Sequence, residues 1–159
     1  MSADITSEEL QPMIGMPAGT FVLHRDPMLF LDRLVDISAE SASCEWCISE
    51  DFELVVPGRG VPAYAGVEYM AQCVAVHAGA RARVAGFAPP HGYLLGTRHY
   101  TCSVAWFETG VTYQTSCQEL VRDSQGMGSF ACRIQSSGVS IAEANLAVLE
   151  IPQEIRLDE

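Results

Sequence analysis

Hydrophobic and polar positions divide this chain into two kinds of segment. From residue 92 onward the pattern is that of β-strands, at roughly 92–106, 110–123, 127–136 and 139–151. The last two are entered through turn signals at Asp123-Ser124-Gln125-Gly126 and Ser136-Ser137-Gly138. Nearer the N-terminus, residues 28–37 form a mostly apolar strand-like run, interrupted by Asp32 and Arg33. Residues 41–50 alternate loosely as a second strand. Between these groups, residues 62–84 are almost entirely small and apolar. They start at Pro62, where a missing amide costs nothing in a first helical turn, and the chain breaks at Ala88-Pro89-Pro90. A long helix is predicted there. Upstream, Ser7 reads as the N-cap of a short helix ended by Pro12 or Gly15, and residues 51–60 read as a loop.

The resulting order is two strands, one long buried helix, then four strands. An α+β domain with one antiparallel sheet curled around the helix fits this order. Alanine or glycine at 65, 66, 71, 75, 78, 79 and 80 suits close approach of the helix to the sheet. The sheet edges left open would be covered by dimerisation. The 159 residues fit a single domain, with a core at about 20–151 and a loose acidic tail at 152–159.

Composition narrows the function. Nine arginines and no lysines stand against 20 acids, a net charge of −11, which argues against nucleic acid as partner. No apolar run reaches the roughly 20 residues of a membrane span. The start, MSADITSEEL, lacks the basic and apolar regions of a signal peptide, so a cytoplasmic protein is expected. Of six cysteines only Cys44 and Cys47 are close in sequence, and a strand points them to opposite faces. No second pair with metal-ligand spacing exists, so the cysteines read as structural and no metal or cofactor is implied.

The helix carries one acid near its start, Glu68, among residues that read as buried: Tyr64, Val67, Tyr69, Met70 and Val74. A carboxylate there needs a partner, a shifted pKa or a chemical role. Arg59 or Arg98 could pair with it. Gln72 follows one turn later on the same face, and His77 falls on the opposite side, where it reads as a packing residue. Arg81 and Arg83 close the helix, where cations favour the negative end of the dipole.

Two segments carry a family resemblance. Residues 22–36, VLHRDPMLFLDRLVD, resemble the start of the β-hydroxyacyl-acyl-carrier-protein dehydratases, through His24, Arg25, Pro27, Leu29, Asp32 and Arg33. Residues 61–72, VPAYAGVEYMAQ, resemble the central-helix motif of the same family, through Pro62, Glu68, Met70, Ala71 and Gln72. Within that group, residues 66–72 and 93–102 look most like the dehydratase-like proteins of aryl polyene biosynthesis.

The resemblance implies a hotdog fold and dehydration of 3-hydroxyacyl chains held on acyl-carrier protein or coenzyme A, without a cofactor. It places Glu68 as catalytic acid, an amide at Ala63 as donor to the thioester carbonyl, and Gln72 as a polar residue lining the site. The family's loop histidine has no counterpart. In residues 54–62, LVVPGRGVP, Leu54 or Val55 stands in its place, and neither can accept a proton. Among His24, His77, His91 and His99, His24 is the best substitute base, with a structural hydrogen bond as its alternative role. Three readings follow: a dehydratase, expected as a homodimer; a non-catalytic acyl-binding subunit, forming a heterodimer with a complete dehydratase; and a hotdog acyl thioesterase.

Overall fold

The computed structural model describes residues 4–151. In chain order it contains α1 (Ser7–Leu10), β1 (Arg33–Ile37), β2 (Ser41–Cys47), β3 (Val61–Pro62) and α2 (Gly66–Val84). These are followed by β4 (His91–Cys102), β5 (Trp106–Phe107), β6 (Thr112–Arg122), β7 (Met127–Ser136) and β8 (Val139–Ile151). Six strands form one antiparallel sheet in the order β1-β2-β6-β7-β8-β4, and β3 and β5 pair separately. The sheet curls around α2, which touches β2, β6, β7, β8 and β4, and it stays open at β1 and β4. The expected α+β arrangement is therefore present. Residues 1–3 and the tail at 152–159 lie outside the described residues.

Small side chains bring helix and sheet together. Ala42, Cys117, Cys132 and Ala144 stand opposite one another across β2, β6, β7 and β8, and all four are buried. Cys73 of α2 meets this row, its Sγ 3.6 Å from the Ala42 carbonyl and 3.8 Å from Cys117 Sγ. Larger residues there would hold the layers apart. Nearer the start of α2 the filling is aromatic instead. Trp46 stacks on Tyr69 and Tyr113, and its indole N–H donates to Thr115 Oγ1 at 2.8 Å. As expected, Cys44 is buried and Cys47 exposed.

Three local expectations are corrected. The first helix is capped by Thr6, not Ser7, through a capping box with Glu9, while Ser7 Oγ accepts from the Ala39 amide at 2.9 Å. The central helix begins at Gly66, after one 3-10 turn over Ala63–Ala65. The strand expected at 28–37 is regular only from Arg33. Residues 28–30 do not join the sheet because Gln72 takes their backbone groups: Phe30 N–H donates to Oε1 and the Met28 carbonyl accepts from Nε2, both at 2.8 Å.

Candidate active site

Residues 18–24 cross α2 where the helix offers Gly79. A Cβ at that position would collide with the Phe21 backbone, so only glycine lets the two segments meet. The segment turns at its end, where Arg25 Nη1 donates to the carbonyls of Val22 and His24 at 2.9 and 2.6 Å. This fold of the chain brings His24 over the first turns of α2. Its Nε2 lies 3.8 Å from Glu68 Oε1, and the two side chains are 36% and 39% exposed.

Glu68 and His24 line one end of a cavity of about 370 Å³ that runs beside α2. Glu68 is thus half-open to solvent rather than buried as the sequence implied, and Tyr64 is 77% exposed. The correction has a simple cause: Glu68 faces the cavity that α2 shares with β4, β7 and β8, not the packed core. The described residues pair it with Gln72 and His24, and neither Arg59 nor Arg98 reaches it. Arg59 lies over the Trp106 ring instead.

Gln72 is fully buried, and its carboxamide is committed within the protein. One Nε2 proton reaches Met28, the other reaches Glu68 Oε1 at 2.9 Å, and Oε1 accepts from Phe30. A single side chain therefore fixes the carboxylate against the segment that follows His24. The backbone groups of Met28 and Phe30 could not have been found from residue types, because only the tertiary fold brings them to Gln72.

The remaining expected site residue stands apart. Ala63 does not line the cavity; its amide donates to the Ala105 carbonyl at 3.0 Å, and its carbonyl accepts from the Tyr100 hydroxyl. His77 is fully buried on the far side of α2, with Nε2 3.1 Å from the Ser38 and Ala39 carbonyls, as its packing role requires. His24 Nδ1 is buried and has no hydrogen-bond partner among the described residues, so no second group fixes its tautomer. At the two positions where the family's histidine was expected, Leu54 is exposed and Val55 packs half-buried against the core.

A long carboxylate-bearing helix wrapped by a curled antiparallel sheet, with a cavity beside the acid, defines a hotdog fold. The chain belongs to the ApeP-like family, described as ApeP dehydratase, which matches residues 16–157. Among solved structures, it is similar to the dehydratase heterocomplex ApeI:P from Xenorhabdus doucetiae, at 24% identity and a TM-score of 0.80, over 90% of this chain and 95% of that one. The E. coli PaaI protein of the phenylacetic acid degradation operon shares 11% identity at a TM-score of 0.58, over 77% and 80%. A hypothetical thioesterase with coenzyme A from Streptococcus pneumoniae shares 8% at 0.57, over 76% and 86%. At these identities the likenesses establish the fold. No curated protein matches the chain. No helix among the described residues is long and apolar enough to cross a membrane.

Proposed function

We propose that this protein dehydrates 3-hydroxyacyl thioesters carried on acyl-carrier protein or coenzyme A, with Glu68 and His24 as its acid–base pair. The carrying observation is their convergence, at 3.8 Å, on one end of an elongated cavity. The separation exceeds a hydrogen bond, and such pairs tighten when substrate is bound. In this reading His24 Nε2 takes the proton from C2 of the acyl chain. Glu68 gives its proton to the C3 hydroxyl, which leaves as water with formation of the C2–C3 double bond. Transfer of the proton from His24 to Glu68 restores the starting state. Gln72 acts by holding Glu68 Oε1, and the Ala63 amide, committed to the Ala105 carbonyl, takes no part. The test is conversion of a 3-hydroxyacyl carrier thioester by the purified chain, followed by mass spectrometry. Wild type is expected to form the 2-enoyl product and Glu68→Ala to lose it. No turnover by wild type, or equal turnover by both, contradicts the proposal.

A second reading has its own support. The unpartnered His24 Nδ1 and the histidine-free loop at residues 54–56 leave room for a base supplied in trans. The open edge strand β4 exposes Tyr93, Leu94 and Leu95, and the ApeI:P structure is a heterocomplex. Here the chain is an acyl-binding subunit, working beside a histidine-bearing dehydratase in an aryl-polyene-type or fatty-acid pathway. Turnover that appears only when such a partner is co-expressed favours it; an active homodimer excludes it. Thioester hydrolysis is the third reading, and release of free thiol from acyl-CoA is its signature.

A further inference from the structure

Away from Glu68 the cavity follows one stripe of α2, formed by Ala71, Ala75 and Ala78, and ends against Arg122 and Glu150. The middle is apolar and the end is not. Arg122 closes β6; its Nη1 donates to Glu150 Oε2 of β8 at 2.6 Å, and its Nε donates to Glu119. The side chains of Arg122, Glu150 and Glu119 are 26%, 21% and 16% exposed. The wall is braced from behind. Gly126, at a φ of 90°, packs against the Glu150 backbone where a Cβ would collide, and the Glu150 amide donates to its carbonyl at 2.9 Å.

This wall constrains what can reach it. Two carboxylates share one guanidinium, so the cluster is net negative and repels an anionic chain end. A methyl end pressed against it strips water from an ion pair and returns no hydrogen bond. A neutral hydroxyl can accept from the guanidinium and donate to a carboxylate. Length matters too. From Glu68 to Ala78 the helix advances about 15 Å at roughly 1.5 Å per residue. An extended chain gains about 1.2 Å per bond, so roughly a dozen bonds span that distance.

We propose that the Arg122–Glu150 pair is a specificity determinant at the far end of the acyl channel. It selects chains of about a dozen bonds that end in a neutral hydroxyl over chains of that length ending in a methyl or a carboxylate. The inference rests on the acyl-thioester reading of the cavity but not on turnover. It is tested by calorimetric binding of stable pantetheine amides to the full chain: tetradecanoyl, ω-hydroxytetradecanoyl and ω-carboxytridecanoyl, with hexanoyl and ω-hydroxyhexanoyl as short controls. Wild type is expected to bind the long hydroxyl compound about tenfold more tightly than the methyl compound, the worth of one net hydrogen bond. The long carboxylate should bind more weakly than the hydroxyl compound, and the short pair should bind alike. In Arg122→Met/Glu150→Leu the long methyl compound becomes the preferred ligand. Equal affinity of wild type for the long hydroxyl and methyl compounds overturns the inference, and so does a preference that survives the double substitution. The wild-type comparison needs no variant to fold. Discrimination without dehydration removes only the proposed reaction, and dehydration without discrimination removes only this inference.

Discussion

Gln72 Nε2 donates at once to Glu68 Oε1 and to the Met28 carbonyl, at 2.9 and 2.8 Å, and so ties the cavity's acid to the segment that follows His24. The same side chain accepts from Phe30 N–H inside the core. Gln72→Leu keeps the bulk and removes all three bonds, leaving a buried amide and a carbonyl without partners. A loss of about 3 kcal/mol is expected in urea unfolding, since each abandoned buried group costs about 1–3 kcal/mol. Turnover should fall as well, but less than in Glu68→Ala, because the acid remains and only its positioning is lost.

Gly79 is where the chain bearing His24 crosses α2. Gly79→Ala places a methyl group against the Phe21 backbone, which cannot yield without moving residues 18–24. A cost of about 1–3 kcal/mol is expected, the range for overpacking, visible as a lower Tm. Gly92→Ala is the contrast: its Cβ meets nothing within 4 Å, and its Tm should stay near wild type.

His77 gives the fold a pH dependence. Burial lowers its pKa first; the Ser38 hydrogen bond opposes this, Arg81 and Arg122 reinforce it, and Glu119 opposes it. The folded value therefore lies below the unfolded value of about 6.5. Between the two, the unfolded chain binds more protons, so stability rises with pH across that window. The contribution is present in full above about 6.5 and is lost as pH falls toward the folded value. Thermal melts of wild type between pH 7 and 5 should thus show a falling Tm, and His77→Gln should fall less steeply. Parallel curves for the two proteins contradict this.

Much of this structure can be read in the sequence where local pattern decides. The β, β, helix, four-strand order holds because turn chemistry at Asp123–Gly126 and Ser136–Gly138 and the small residues of α2 all act locally. Glu68 and Gln72 share a face because helical period dictates it, and the motifs at residues 22–36 and 61–72 carry the family. Reading fails where distant parts meet. Residues 28–30 look like strand, yet the Phe30 amide and the Met28 carbonyl bond to Gln72. Glu68 seemed buried because its neighbours are apolar, although α2 leaves that side open to a cavity. The 3.8 Å approach of His24 to Glu68 depends on Gly79 and Arg25; the sequence singled out His24 among four histidines, but not the contact itself.

The open β4 edge makes an assembly prediction. Tyr93, Leu94 and Leu95 are each about half exposed on a strand with no second neighbour in the sheet. Leu95→Lys is expected to shift the chain toward monomer in sedimentation velocity by at least tenfold in the dissociation constant, about 1.4 kcal/mol. An unchanged sedimentation coefficient at all concentrations would place the association surface elsewhere.

The central claim is that Glu68 and His24 act as one unit in the same chain. Its most direct test is a double-mutant cycle on kcat for a 3-hydroxyacyl carrier thioester, using wild type, Glu68→Gln, His24→Ala and the double variant. Groups that act together are non-additive. Each single variant is expected to lose about 10²–10⁴ in rate, the usual worth of acid–base catalysis, and the double variant no more than the worse single. Full activity in His24→Ala, or losses that multiply in the double variant, would contradict the account.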